Sequence, residues 1–247
     1  MLKPDKQLII LSNTDSTNNY AMQLIASNRA SHGTVVLTHW QQQGKGQRGN
    51  SWESDPGRNL LLSIIVFPDF LMAEKQFYLS KITTLAIVDL VRDEIENVTV
   101  KWPNDIYAGD KKLSGILIEN IIQDNFIYAS VVGIGLNVNQ ISFSREVPNP
   151  VSLKLITGRD YSVSNLTESL TEKFFQWYNK LESGGISDID SAYLSNLYRK
   201  NTWAKFIRAG KVFEARITGI GEYGQLKTED RRGSCSEHLF KEIEYVI

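Results

Sequence analysis

Residues 101–119 combine side-chain types that together could activate an anionic substrate. The segment reads Lys-Trp-Pro-Asn-Asp-Ile-Tyr-Ala-Gly-Asp-Lys-Lys-Leu-Ser-Gly-Ile-Leu-Ile-Glu. The corner at Trp102-Pro103 should end a short β-branched strand, because proline lacks a backbone donor and restricts the residue before it. A second strand should follow the Gly-Asp turn, which brings the amide of Asn104, the carboxylate of Asp105 and the amine of Lys112 to one edge of a hairpin. Taken alone, this hairpin could also be only a surface turn.

Residues 38–52 form a second polar cluster, directly after the strand-like residues 35–37. The cluster reads Thr-His-Trp-Gln-Gln-Gln-Gly-Lys-Gly-Gln-Arg-Gly-Asn-Ser-Trp. Glycines let backbone N–H groups approach a ligand closely, and successive N–H groups with a nearby cation bind anions. The spacing is not that of a P-loop, and the residues that follow cannot open the helix that a dinucleotide fold requires. From these residues alone, an anion-binding loop and a polar surface loop are equally supported.

Five segments, in this order, resemble the sequence motifs of biotin protein ligases, also called biotin–[acetyl-CoA-carboxylase] ligases. They are Ser-Thr-Asn at 16–18, the loop at 44–52, Lys-Trp-Pro-Asn-Asp at 101–105, the strand at 112–119, and Gly-Ile-Gly-Leu-Asn-Val-Asn at 133–139. Each motif is modest by itself, but their joint occurrence is very specific. The resemblance implies an enzyme that uses ATP to convert biotin into biotinyl-5′-AMP. It then transfers biotin to a lysine of a biotin carboxyl carrier protein or carboxylase biotin domain.

The resemblance also assigns catalytic roles to three residues, Lys112, Arg48 and Asp105. Lys112 is expected at the biotin carboxylate and the bridging phosphate of the adenylate, and Arg48 contributes positive charge to two anionic reactants. Asp105 either orients Lys112 or eases deprotonation of the attacking lysine. Lys111, the neighbour of Lys112, is interpreted as a solvated charge. Mg2+ is expected to accompany the ATP phosphates, with no metal ligand assigned to the protein.

Substrate contacts follow in the same way from the resemblance. Those expected to bind biotin are Ser16, Thr17, Asn18, Gln41, Gly44, Lys45, Gly46, Gln47, Lys112, Gly115 and Gly133. Those expected to bind ATP or the adenylate are Lys45, Arg48, Trp52, Asn104 and Asn137. Two of these assignments have a structural alternative, since Ser16 could simply cap the first helix and Asn137 could be only a turn residue.

Three loop positions depart from the family pattern Gly-Arg-Gly-Arg-x-Gly-Arg. Lys45, Gln47 and Asn50 stand where that pattern has arginines. Lysine keeps the charge but loses the bidentate geometry of arginine, whereas Gln47 and Asn50 remove two positive charges. We therefore expect an active enzyme that retains its adenylate less tightly.

The composition is typical of a globular protein, and the length leaves room for one large and one small domain. The chain has 247 residues, of which 42% are hydrophobic and 22% charged, and its net charge is −1. The near-neutral charge and the lack of a long apolar run predict no nucleic-acid or membrane partner. One cysteine, Cys235, excludes an internal disulfide and is typical of a reducing cytoplasm. The three histidines and this cysteine show no metal-ligand spacing.

The pattern of elements predicts an α+β fold. Strands are expected at 7–11, 60–67 and 126–138, the last broken by Gly133 and Gly135. Helices are expected at 16–28 and 76–96, from a capping box at Asn165 to Gly184, and at 188–200. Short strands follow from about residue 203. The resemblance implies a mixed sheet with flanking helices over 1–200, similar to class II synthetases, and an SH3-like β-barrel over 201–247.

Three other classes of protein are alternatives to this interpretation: a different ligase, a non-catalytic binding protein and a DNA-binding repressor. A lipoate or octanoate ligase shares the catalytic fold, but the hairpin and the glycine loop favour biotin. A non-catalytic biotin-binding protein is disfavoured, because Lys112 and the cationic loop are both present. Since the Ser-Thr-Asn motif starts at residue 16, we expect no N-terminal DNA-binding repressor domain. Family members are monomers or edge-to-edge homodimers, and the residues leave both states open.

Overall fold

A computed structural model describes residues 7–246, except for the side chain of Arg48. Its first sheet has seven strands in the order β1-β2-β3-β7-β6-β5-β4, and only β1 and β2 pair in parallel. The strands are β1 (Leu8–Leu11), β2 (Val35–Thr38), β3 (Leu60–Val66), β4 (Val98–Lys101), β5 (Asp105–Ala108), β6 (Lys111–Gln123) and β7 (Phe126–Leu136).

Helices cover both faces of this sheet. They are α1 (Thr17–Ala26), α2 (Phe77–Val91), α3 (Leu153–Thr157), α4 (Val163–Glu182) and α5 (Ile186–Ser195). Helix α1 packs on one face through Ala21 and Leu24, in a cluster with Ile65 and Val131. Helix α2 contacts β4, β5 and β6 on the other face and is itself covered by α4 and α5. Because it is enclosed on both sides, α2 is buried nearly all round.

Residues from Trp203 onward form a second, antiparallel sheet in the order β11-β10-β9-β8-β12. Its strands are β8 (Trp203–Arg208), β9 (Lys211–Ile220), β10 (Leu226–Asp230), β11 (Cys235–His238) and β12 (Glu244–Tyr245). The inward side chains of Phe206, Ile217 and Leu226 are fully buried. This sheet agrees with the SH3-like module expected at the end of the chain. Within residues 7–246, no helix is both long enough and apolar enough to cross a membrane.

Aromatic contacts hold the second sheet against the corner between β4 and β5. The indole N–H of Trp102 donates to the carbonyl of Gly224 at 2.8 Å. The ring of Phe240 lies 5.3 Å from that of Trp102 and 5.7 Å from that of Phe77. The loop between β11 and β12 is thereby held beside the hairpin that carries Asp105.

Several element boundaries differ from the sequence predictions. Asn165 does not cap α4: the helix starts at Val163, and the Ser162 hydroxyl accepts from the backbone N–H of Asn165. Helix α2 ends at Val91, because the chain turns there and reverses at Asn97, which has a φ of 58°. The short helix α3 was not predicted.

Helix α5 also differs from its predicted range of 188–200. It ends at Ser195 because the next residues bond to the free edge of β4 instead. The N–H of Val100 donates to the carbonyl of Asn196, and the N–H of Tyr198 donates to the carbonyl of Val100. Strand β7 is not broken at Gly133 and Gly135, since both residues stay in register with β3 and β6.

Candidate active site

A cavity of about 720 Å³ opens where α1, the loop after β2, the β4–β5 corner and the loop after β11 meet. It gathers most of the residues predicted from the sequence, although they come from distant parts of the chain. Those that line it are Ser16, Thr17, Asn18, Gln41, Lys45, Gly46, Gln47, Trp52, Asn104, Asp105, Lys112, Gly115 and Gly133.

The hairpin of β5 and β6 places an ion pair on the cavity wall. The Nζ atom of Lys112 lies 2.8 Å from Oδ1 of Asp105, and the amide of Asn104 donates to the carbonyl of Ile116. The amide, carboxylate and amine therefore meet at one hairpin edge, as predicted. Both charged side chains are partly exposed, so a ligand in the cavity can reach them.

A β-bulge sets the direction of Lys112. Ile106 pairs with Ser114, but Tyr107 pairs with Lys112, so β6 carries one extra residue at this point. In a regular strand, residues 112 and 115 would face opposite sides of the sheet, because they are an odd number of positions apart. The bulge brings the side chain of Lys112 to the side on which Gly115 faces the cavity.

A hydrogen-bond network fixes the polar side chains at the start of α1. Oε1 of Gln41 accepts from the backbone N–H of Thr17 at 2.8 Å and from its hydroxyl at 3.1 Å. The amide of Asn18 donates to Glu119 at 2.7 Å. The buried hydroxyl of Ser63 lies 2.8 Å from Oγ1 of Thr17 and 2.7 Å from Oδ1 of Asn18. The ends of these side chains are therefore held in place before any ligand binds.

Sequence reasoning missed Ser63 and Glu119. Ser63 is the single polar residue in the fully buried strand Leu60–Val66, and this interruption was the available signal. Glu119 was included in a motif but received no role. Ser16 occupies the N-cap position of α1, yet its side chain makes no capping hydrogen bond. The capping alternative for Ser16 thus finds no support in the geometry.

Glycines on β6 and β7 accommodate side chains that lie on the sheet. A Cβ atom on Gly135 would be 2.4 Å from the indole of Trp52, and one on Gly115 would be 2.9 Å from it. A Cβ atom on Gly133 would be 2.3 Å from Oδ1 of Asn18. The indole therefore rests on the backbone of the two strands. Its N–H has no partner among the described residues.

The loop between β2 and β3 is closed by local backbone hydrogen bonds. The N–H of Gly46 donates to the carbonyl of Asn50 at 2.7 Å, and that of Trp52 donates to Gly44 at 2.8 Å. The ammonium of Lys45 donates to Oδ1 of Asn19 at 2.6 Å. Gly44 does not line the cavity; it is buried where a Cβ atom would meet the carbonyl of Trp52 at 2.4 Å.

Two further predicted residues, Asn137 and Arg48, are not among the described residues that line the cavity. Asn137 is buried, and its amide donates to the carbonyl of Val151 at 3.0 Å, so it joins β7 to the segment before α3. This contact agrees with the alternative of a turn residue. The side chain of Arg48 lies outside the described residues.

The second sheet contributes a wall that the sequence did not reveal. Phe240, Lys241, Ile243, Glu244 and Tyr245 line the cavity beside the hairpin. On the hairpin side, Lys101 and Tyr107 were also not predicted as site residues. Burial lowers the pKa of the Lys101 ammonium, and it raises the pKa of the Tyr107 phenol with a smaller contribution from Asp105.

The cavity thus combines fixed hydrogen-bonding groups beside α1, ammonium groups on its wall and an aromatic ring on the sheet. Such a site is suited to an anionic substrate with a polar head and to a nucleotide. Fixed positive charge between two anions lowers the barrier to joining them. Fold and site together define a ligase that activates a carboxylate.

Comparison with known proteins identifies the family. The profile of the Biotin/lipoate A/B protein ligase family matches residues 11–137, and the chain belongs to that family. It is 30% identical to the biotin–[acetyl-CoA-carboxylase] ligase of Paracoccus denitrificans over 198 residues, 77% of this chain and 80% of that protein. It is 27% identical to the bifunctional ligase/repressor BirA of Bacillus subtilis over 228 residues, 91% of this chain and 69% of that protein.

Solved structures confirm the predicted fold. The biotin protein ligase from Aquifex aeolicus in complex with biotin and ATP superposes with a TM-score of 0.81 at 25% identity. The match covers 98% of this chain and 100% of the Aquifex chain. The biotin protein ligase from Leishmania major in complex with biotinyl-5-AMP gives a TM-score of 0.61 at 20% identity, covering 94% and 98%. The mixed sheet with flanking helices and a second antiparallel sheet is therefore the architecture of biotin ligases.

Proposed function

We propose that this protein activates biotin with ATP and transfers it to a lysine of a biotin carboxyl carrier protein or domain. The observation that carries this proposal is the pair formed by Lys112 and Asp105, which shares one cavity with the fixed network of Thr17, Asn18 and Gln41. The relatives named above are biotin ligases, which favours biotin over lipoate as the substrate.

The first step joins two anions. A carboxylate oxygen of biotin attacks the α-phosphorus of ATP, the bond from that phosphorus to the bridging oxygen breaks, and pyrophosphate leaves with the electron pair. Lys112 stabilises the charge on the carboxylate and the α-phosphate, an effect worth roughly 3 kcal/mol for one preorganised donor. In the second step, the neutral amine of a carrier lysine attacks the acyl carbon, and the bond from that carbon to the phosphate oxygen breaks. AMP leaves with the electron pair, and the amine nitrogen loses one proton to Asp105 or to solvent.

The remaining contacts are assigned on the same basis. The network around Thr17 and Asn18 would hold the ureido ring, since its groups are fixed and buried. Trp52 and Asn104 would face the adenylate. Asn137 would act indirectly, because its amide is already bonded to Val151.

Mg2+ would enter with ATP. The carboxylates that line the described part of the cavity are Asp105, which is paired with Lys112, and the exposed Glu244. This donor set is too small for an all-protein site, and Mg2+ is commonly held by substrate phosphates together with one or two carboxylates. When bound, the ion would neutralise phosphate charge.

We further propose that residues 1–200 form the catalytic unit and that 201–247 form a β module that completes its cavity. This proposal is supported by the residues between Phe240 and Tyr245 that line the cavity. We also propose that the chain works in the cytoplasm, since a single, exposed cysteine is typical of proteins in a reducing compartment.

The decisive experiment measures pyrophosphate release with biotin, lipoate or octanoate in parallel. We expect release with ATP and biotin but only background release with the other two acids. Faster release with lipoate or octanoate would instead identify the alternative ligase. No release with any of the three would contradict the enzymatic proposal.

Ser63→Ala is predicted to weaken biotin binding without loss of the fold. Removing the hydroxyl leaves an oxygen of Thr17 or Asn18 short of a donor, which costs about 1–3 kcal/mol and corresponds to a Kd raised about tenfold or more. Calorimetric titration with biotin measures the effect. The matched control is Ser130→Ala, a buried hydroxyl on β7 without a hydrogen-bond partner among the described residues. Equal Kd changes in both variants would show that Ser63 has no specific role.

A further inference from the structure

Lys101 lies where the hairpin meets the second sheet. It is the last residue of β4 and pairs with Asp105 across the corner. Its Nζ atom donates to the phenol oxygen of Tyr107 at 3.0 Å. The same atom lies 4.7 Å from the centre of the Tyr107 ring and 5.1 Å from that of Tyr245. The ammonium is therefore held between an aromatic ring of each sheet, on the wall of the cavity.

The charge of Lys101 has no direct counter-ion. Among the described residues, no carboxylate oxygen lies within 4.0 Å of its Nζ atom, whereas Lys112 is paired with Asp105 at 2.8 Å. A desolvated ammonium is costly, and aromatic faces and one phenol offset only part of that cost. An ammonium carries three N–H donors, and one is engaged by Tyr107. This site is therefore built to accept an anion.

Lys101 and Lys112 share Asp105 but have different aromatic neighbours. Asp105 attracts Lys101 electrostatically and forms an ion pair with Lys112, so the two lysines flank one carboxylate. The Nζ atom of Lys112 lies 5.7 Å from the centre of the Trp52 ring, while the ring neighbours of Lys101 that face the cavity are Tyr107 and Tyr245. Lys45 and Lys241 are the other two lysines among the described residues that line the cavity.

Resting on the proposed function, we infer that Lys101 binds the β- and γ-phosphates of ATP, the part that leaves as pyrophosphate. When the bond from the α-phosphorus to the bridging oxygen breaks, the electron pair and its negative charge pass to pyrophosphate. Lys101 stabilises that charge while Lys112 stays with the carboxylate and the α-phosphate. A small polyanion fits this position better than an acidic protein partner does, because Lys101 is half-buried inside the cavity.

The test uses Lys101→Met, which keeps an unbranched apolar stem between the two rings and removes the charge. Lys101→Arg restores the charge, and Lys111→Met is the matched control, because Lys111 is exposed and does not line the cavity. Pyrophosphate binding is measured by calorimetry on the full chain. The rate of pyrophosphate release with biotin and ATP is measured next. Transfer to the carrier protein is then measured from biotinyl-5′-AMP supplied ready-made.

For Lys101→Met we expect pyrophosphate binding to weaken about tenfold or more and adenylate formation to fall about a hundredfold, the size of effect that one lost donor has. Transfer from supplied biotinyl-5′-AMP and the biotin Kd should stay within about twofold of wild type. Lys101→Arg should recover most of the loss, and Lys111→Met should match wild type. Melting temperatures of all variants separate a binding effect from a folding defect.

Three results would overturn the inference. Unchanged pyrophosphate binding in Lys101→Met would show that the phosphates bind elsewhere. If transfer from supplied biotinyl-5′-AMP falls as much as adenylate formation does, Lys101 contacts the carrier protein instead. A raised KM for the carrier as the only change would show the same. Full activity of Lys101→Met would show that its charge is not used. If wild type binds pyrophosphate through Lys101 but releases none from ATP and biotin, the proposed function fails while this site stands.

Discussion

Lys112→Ala is expected to lower adenylate formation about a hundred- to a thousandfold, since the loss of one preorganised charged donor costs roughly 3–4 kcal/mol of transition-state stabilisation. The lysine brings positive charge to the point where a carboxylate meets a phosphate. Its side chain is 28% exposed and its described ion-pair partner is Asp105, so truncation removes little core packing. Pyrophosphate release with saturating biotin and ATP measures the effect, and a melting curve confirms that the variant is folded.

The control for this prediction is Lys111→Ala. Lys111 is the adjacent residue of β6, but it is exposed and lies outside the cavity lining. It should release pyrophosphate at the wild-type rate, because a solvated surface charge contributes little. Near-normal release by Lys112→Ala would disprove the role given to Lys112. A comparable loss of release in both variants would show that the total positive charge near the site matters and that the position of Lys112 does not.

Gln47→Arg is expected to reduce the escape of biotinyl-5′-AMP about tenfold. Gln47 lines the cavity on a loop whose family pattern has an arginine at that position. An arginine could donate a charge-assisted hydrogen bond to the adenylate, worth roughly 1.5–3 kcal/mol. Escape is measured as biotin label on a bystander protein that has no carrier sequence. The wild type should label bystander lysines at a measurable rate.

Gln43→Arg is the matched control for the loop. Gln43 belongs to the same loop and receives the same substitution, but it is exposed and does not line the cavity. It should leave bystander labelling unchanged. If Gln47→Arg labels bystanders as strongly as wild type does, or if both variants reduce labelling equally, direct contact with the adenylate is not the cause.

The same account predicts that residues 39–52 order over the adenylate. Most side chains of this loop are exposed, so little buried apolar area offsets the entropy of ordering it. The adenylate would supply negative charge for Lys45 and a ring face for Trp52. Cleavage of the loop by a protease should therefore slow when biotin and ATP are present. Equal cleavage with and without substrates would refute the ordering.

Local chemistry in the sequence determined the hairpin and much of the candidate site. The Trp-Pro corner ends β4 and the Gly-Asp turn starts β6, so Asn104, Asp105 and Lys112 had to lie near one another. The helical pattern after Ser16 likewise predicted α1 and the placement of Thr17 and Asn18 at its start. These features depend on residues only a few positions apart, and steric and hydrogen-bonding rules at that range are strong.

Contacts between distant residues were decided only by the tertiary structure. The bulge that turns Lys112 toward the cavity depends on how β5 and β6 pair, and the end of α5 depends on the free edge of β4. Ser63 meets Asn18 across 45 positions of the chain, and Trp102 meets Gly224 across 122. A local pattern does not encode such pairings, because their stability comes from burial and hydrogen bonds that exist only once the sheets have packed. The wall of Lys101, Tyr107 and Tyr245 arises in the same way, from two sheets that the sequence indicated separately.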